Sequence, residues 1–175
     1  MSRHRLLLTS AVAGLCAVAC AAAPRQRPIK MGAVDVGPGS LEHARRQLEG
    51  TWALERAQVL DASGQLADVK AQGRLQLDAY GNLSVNGELQ EPARDPTRPV
   101  PPEILQYAGR IVIDPDRQEF RLMDADLQTS VSAATQRRLD PTQVRRYRVE
   151  GDLLTISLIG PGGEPTATTV FRRLP

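Results

Sequence analysis

Few side chains in this sequence can do covalent or metal chemistry, and those few are scattered. The cysteines are Cys16 and Cys20 and the histidines are His4 and His43; a mature chain cut before an acylated Cys20 would keep only His43, on an N-terminal helix, and no free thiol, so neither a histidine-based triad nor a multi-histidine metal site is expected. Asp114, Asp116, Asp124 and Asp126 form two period-two carboxylate pairs, but the first pair suits a turn and neither matches a calcium loop. No catalytic residue, metal or cofactor is therefore expected, and the chain is not expected to be an enzyme. Two residues still point to chemistry. Cys20 follows Ala17-Val18-Ala19, and a thiol just behind small residues that fit a peptidase groove can carry a diacylglyceryl thioether. Arg145 is the other: if Tyr147 and Val149 face inward on a strand, alternation turns Arg145 inward too and leaves Arg146 and Arg148 outside. A buried guanidinium needs a partner, which a ligand carboxylate would supply in bidentate fashion. The competing position for Arg145 is a strand end, reaching water or a neighbouring carboxylate.

The residues before Cys20 explain its setting. Arg3, His4 and Arg5 form a basic start, residues 6–18 are apolar, and small residues lead to the cysteine, the layout of a secretory leader. The segment resembles the lipobox of bacterial lipoproteins. That resemblance implies removal of residues 1–19, acylation of Cys20 and anchoring to a membrane, with about 0.8 kcal/mol from each buried methylene. Ala21 in second place points, by analogy with lipoprotein sorting, to the outer membrane and a periplasm-facing domain. Soluble export with a cut after Ala19 or Ala23 is one alternative. An uncleaved anchor is the other, although residues 6–23 are rich in small residues against the roughly 20 strongly apolar ones a spanning helix needs. Cys16 goes with the leader, so no intrachain disulfide is expected in the mature domain.

The formal net charge is +2, and Arg3 and Arg5 account for both charges, leaving a nearly neutral mature chain. Without excess basic charge or a basic stripe interleaved with aromatics, nucleic acid is excluded as a partner. Residues 20–40 contain Pro24, Pro28 and Pro38 and read as a lipidated, flexible tether with a reach of roughly 25 Å. Residues 41–175 are the size of one domain that buries about two thirds of its unfolded surface.

Ser40 is placed to cap a short helix over 41–48, with Gly50 as its stop. Beyond it the period changes to that of strands. Runs at 51–60, 73–79, 83–90, 110–113, 118–123, 144–150, 153–159 and 167–174 are separated by turn chemistry such as Tyr80-Gly81-Asn82, Asp114-Pro115-Asp116-Arg117 and Pro161-Gly162-Gly163. A further short strand is expected around 65–69. The proline-rich stretch 91–102 reads as a stiff connection that could cover a barrel mouth, with a short helix starting at Pro102 and running to Gln106. Successive hairpins favour a meander, and closure removes exposed edges. The expected fold is all-β, an eight-stranded antiparallel up-and-down barrel with a short N-terminal helix.

Gly50-Thr51-Trp52 looks like the Gly-x-Trp signature of lipocalins. Leu48 to Leu54, Gly73-Arg74-Leu75, Gly81-Asn82-Leu83-Ser84, Tyr107-Ala108-Gly109, Gln143 to Tyr147 and Glu150 to Thr155 follow the order of the bacterial lipocalin-like domain. The second lipocalin signature, a Thr-Asp-x-x-Gly turn, is absent. The resemblance implies a barrel that binds a small lipophilic molecule, with Trp52 plugging its closed end beneath Arg172 or Arg173. Leu75, Leu77, Val85, Ile111, Phe120 and Tyr147, with Arg145, are the candidate lining. The alternative is a barrel filled by its own side chains, working as a non-catalytic envelope interaction or scaffolding module. An apolar cavity of about 300 Å³ or more would favour binding.

Overall fold

A computed structural model describes residues 36–61, 63–90 and 101–175. Cys20, the leader, most of the tether and the proposed mouth cover at 91–100 lie outside the described residues. The elements run α1 (Leu41–Leu48), β1 (Gly50–Leu60), β2 (Leu66–Leu77), β3 (Asn82–Gln90), β4 (Glu103–Asp114), β5 (Glu119–Leu127), α2 (Ala133–Arg138), β6 (Arg145–Glu150), β7 (Leu153–Ile159) and β8 (Pro165–Arg173). Each strand pairs antiparallel with the next and β1 pairs with β8, so the sheet is a closed eight-stranded up-and-down barrel.

The runs read separately at 65–69 and 73–79 are one strand, β2, which pairs with β1 from Leu66 to Leu77 around a bulge and with β3 from Lys70 to Leu77. The expected helix from Pro102 to Gln106 does not form. Residues 103 onward instead pair with β3, Glu103 opposite Leu89 and Leu105 opposite Gly87, and alternation sends Leu105, Tyr107 and Ile111 inward while Ile104 and Val112 are exposed. A ladder along the whole strand outweighs one helical turn whose only sequence signal was a proline at its start. α1 is capped by Ser40, whose hydroxyl accepts from the His43 N–H at 3.1 Å. Its C-terminal cap is Glu49 in an extended conformation, and Gly50, with φ +131°, already opens β1 rather than forming a left-handed cap. α2 was not anticipated.

The turns at one end are tight. Asp78 holds the β2–β3 turn, its carboxylate accepting from the N–H groups of Tyr80 at 2.9 Å and Asn82 at 2.8 Å and from the Asn82 amide at 2.7 Å. These donors, the Asn82 side chain first, hold its pKa below the ordinary aspartate value, and Asp61 is lowered in the same way by Ser63 and Gln65. A depressed folded-state pKa means stability that is present above the unfolded value of about 3.9 and is lost as pH falls through the folded one. NMR titration of the carboxyl carbons should place both midpoints below that of a solvated aspartate. A midpoint at or above it for Asp78 would contradict this turn.

The core is concentrated at the end closed by α1. Leu48, Trp52, Leu77, Leu83, Leu122 and Leu154 are buried there, joined by Phe120, Tyr147 and Phe171. The opposite end carries the longer connections, among them the segment between β5 and β6 that contains α2.

Candidate functional site

The half of the barrel away from α1 holds an apolar cavity of about 200 Å³. It exists because several wall positions there carry little or no side chain. Ala57 of β1, Ala71 and Gly73 of β2, Gly87 of β3 and Ala167 of β8 all line it, where the closed end uses leucine and aromatic residues. Larger side chains complete the wall: Leu54, Val59, Leu89, Leu105, Ile156 and Phe171. β1 reaches this surface twice because a bulge between Leu54 and Arg56 resets its alternation. Trp52 and Leu54 therefore face inward before the bulge, and Ala57 and Val59 after it.

The candidate lining residues divide between the two halves. Leu75, Val85, Phe120 and Arg145 border the cavity, whereas Leu77 and Ile111 border only a space of about 10 Å³ deep in the closed end. Tyr147 borders neither and packs in the core, its ring 6.3 Å from that of Phe120. Sequence reasoning missed the contributions of β7 and β8, whose apolar alternation is legible, of β1, whose alternation the bulge resets, and of Tyr107, which the sequence offers only as part of a resemblance.

Arg145 is the charged group of this cavity whose surroundings are most unusual. It is only 6% exposed. One terminal nitrogen donates to the Gln143 carbonyl at 2.9 Å; the other donates to the Arg138 carbonyl at 2.6 Å and, more weakly, to the Asp140 carbonyl at 3.5 Å. All three acceptors are backbone oxygens of α2 and the loop after it, so Arg145 ties that connection to the barrel wall. Burial lowers its pKa, opposed by the nearby Tyr107 and Asp140. The Asp140 carboxylate is engaged instead by Thr142, through its N–H at 2.7 Å and its hydroxyl at 2.6 Å. Burial pushes the Tyr107 hydroxyl up to about 12, against the pull of Arg145, so it stays protonated and able to donate.

The barrel wall is thinnest beside this group. β5 and β6 pair only at Glu119 with Arg146 and Phe120 with Arg145, while the rest of β5 runs on without β6. A second space of about 270 Å³ lies there, bordered by Ala125 and Leu127 of β5 and by Gln136, Asp140 and Pro141. Tyr107 and Leu139 border both spaces.

At the closed end Trp52 is completely buried and its indole N–H donates to the Leu48 carbonyl at 2.9 Å. Arg173 lies over the ring, its guanidinium carbon 4.0 Å from the ring centre, and donates to the carbonyls of Gln47, at 2.7 Å, and Glu49. A cation at these carbonyls also opposes the negative end of α1. Arg172 points elsewhere, to an exposed ion pair with Glu55.

No protein-family model matches the chain, and no curated protein does. Among solved structures it is similar to the crystal structure of Rv2717c from M. tuberculosis, at 16% identity and a TM-score of 0.35, over 81% of this chain and 100% of that one.

Proposed function

We propose that this chain is a non-catalytic, lipid-anchored envelope protein whose barrel holds one compact lipophilic molecule. The anchoring part of the reading rests on Cys20 and the leader before it. The binding part rests on one observation, the apolar cavity of about 200 Å³. A barrel filled by its own side chains would not place alanine and glycine at five wall positions of one region. The volume also sets the size of the guest. It falls short of the roughly 300 Å³ at which pockets for drug-sized ligands begin. An apolar cavity of about 150 Å³ holds benzene, so this one suits on the order of eight to ten non-hydrogen atoms.

Calorimetry with a series of straight-chain alcohols tests the reading. Affinity should rise about fourfold per methylene, the equivalent of about 0.8 kcal/mol, and level off once the chain outgrows the space. Trp52 is not part of the cavity wall, so its emission would be a poor reporter. Ala71→Leu, which fills the void from β2, should leave the fold intact and weaken binding at least tenfold. A protein that binds no member of the series would instead be an interaction module with an idle interior.

A further inference from the structure

We infer that the guest is a monocarboxylate, its headgroup held by Arg145 and Tyr107. This rests on the reading of the cavity as a binding site and goes on to name what binds.

Arg145 carries five N–H donors, and its bonds to Gln143, Arg138 and Asp140 leave Nε and one terminal N–H without an acceptor among the described residues. Backbone carbonyls solvate the guanidinium but do not neutralise it. The described ion pairs are all formed by other residues. The Asp140 carboxylate is close enough for its charge to act on Arg145, but it forms no ion pair with the guanidinium and is bonded through Oδ1 to Thr142. Glu88 also borders the cavity, but its carboxylate accepts from Gln72 at 2.9 Å on the outer face of the β2–β3 pair. A positive charge that is 6% exposed, beside an apolar void, thus lacks a directly contacting counter-ion among the described residues. A buried charge left this way is costly, and a ligand anion offsets that cost when it arrives.

Tyr107 selects among anions. Its side chain borders the same cavity, and its hydroxyl lies close enough to Arg145 to feel that charge and remains protonated because burial pushes its pKa up to about 12. A protonated phenol and a guanidinium edge together present donors to the two oxygens of one planar carboxylate. A phosphate would bring more negative charge than the single guanidinium balances, in a space whose remaining wall is largely apolar. An alcohol or amide would leave the guanidinium uncompensated.

The test is a comparison in the full-length protein of cyclohexanecarboxylate, its neutral carboxamide, and inorganic phosphate, with 1-octanol as the uncharged aliphatic probe of the cavity itself. The carboxylate should bind roughly 10- to 100-fold more tightly than the carboxamide, the range expected when charge-assisted hydrogen bonds replace neutral ones, and phosphate should not compete. Arg145→Met should bring the two cyclohexane compounds within a fewfold of each other while octanol binding persists. Arg145 also anchors the loop after α2, so Tyr107→Phe serves as a milder variant, expected to reduce the preference severalfold. Equal binding of carboxylate and carboxamide to the wild type, with octanol still bound, would overturn this inference and leave the carrier reading standing. Tighter binding of phosphate would overturn it equally. Failure of all the probes would remove both.

Discussion

Trp52→Ala should lower the unfolding free energy by about 3–5 kcal/mol, the range seen when a large buried aromatic is truncated. Three losses coincide at this position. The ring is fully buried in the closed end, its N–H is bonded to the last carbonyl of α1, and its face carries the Arg173 guanidinium. Domains of this size are stable by only about 5–15 kcal/mol, so the variant should unfold at roughly 2 M less urea than the wild type when followed by circular dichroism. Trp52→Phe keeps most of the apolar surface and separates packing from polar terms. A double-mutant cycle between Trp52→Phe and Arg173→Met should return a coupling of about 0.5–2 kcal/mol, smaller than the packing loss. Arg173 also holds the Gln47 and Glu49 carbonyls, so its removal should loosen α1 from the barrel and speed exchange of the α1 amides. A Trp52→Ala protein less than about 1 kcal/mol weaker than the wild type would show that the closed end is not the main core.

The barrel was legible because hairpin chemistry is local. Tyr80-Gly81-Asn82, or Asp114-Pro115-Asp116-Arg117, announces a turn whatever surrounds it, and alternation on either side then sets which residues face inward. Sequence and structure part where a longer-range pairing overrides a local signal. Pro102 suggested a helix start, but residues 103–106 are held by β3, a partner remote in sequence. The bulge at Leu54 to Arg56 hid the second inward pair of β1, since a single extra residue reverses the alternation and has no sequence mark of its own. α2 is six residues long, with Ser132 as its only strong signal, and such helices owe their existence to what they pack against.

The binding region was less legible than the fold for a related reason. Large apolar residues on strands look like lining, yet leucines such as Leu77 belong to the packed end. The cavity is defined by small ones, and an alanine or glycine on a strand says nothing by itself about whether it opens a void or meets a large neighbour. Arg145 could be placed inward by parity alone, but its three carbonyl partners come from a helix and loop whose position no local pattern revealed.

Gly73→Val should be the most damaging single change in the cavity wall, costing more than about 3 kcal/mol or preventing folding. Gly73 of β2 stands opposite Gly87 of β3, and a Cβ on it would lie 2.7 Å from the Asn86 carbonyl oxygen and 2.8 Å from the Gly87 Cα. Both obstacles are backbone, so no side chain can swing away and the two strands would have to part. Overpacking commonly costs about 1–3 kcal/mol even where neighbours can adjust; Gly73→Ala belongs in that range, and the branched valine beyond it. Gly151 provides the contrast. Its φ is +59° and nothing lies within 4 Å of a Cβ placed there, so Gly151→Asn, which tolerates the left-handed region, should cost about 1 kcal/mol or less. Urea titrations of the three variants would rank crowding against backbone strain. A Gly73→Ala protein as stable as the wild type would mean that β2 and β3 do not approach each other as closely as described, and the cavity would lose the feature that creates it. The same missing side chains that let the strands meet at Gly73 and Gly87 also leave that part of the interior empty, so closeness of the wall and room for a guest have one cause.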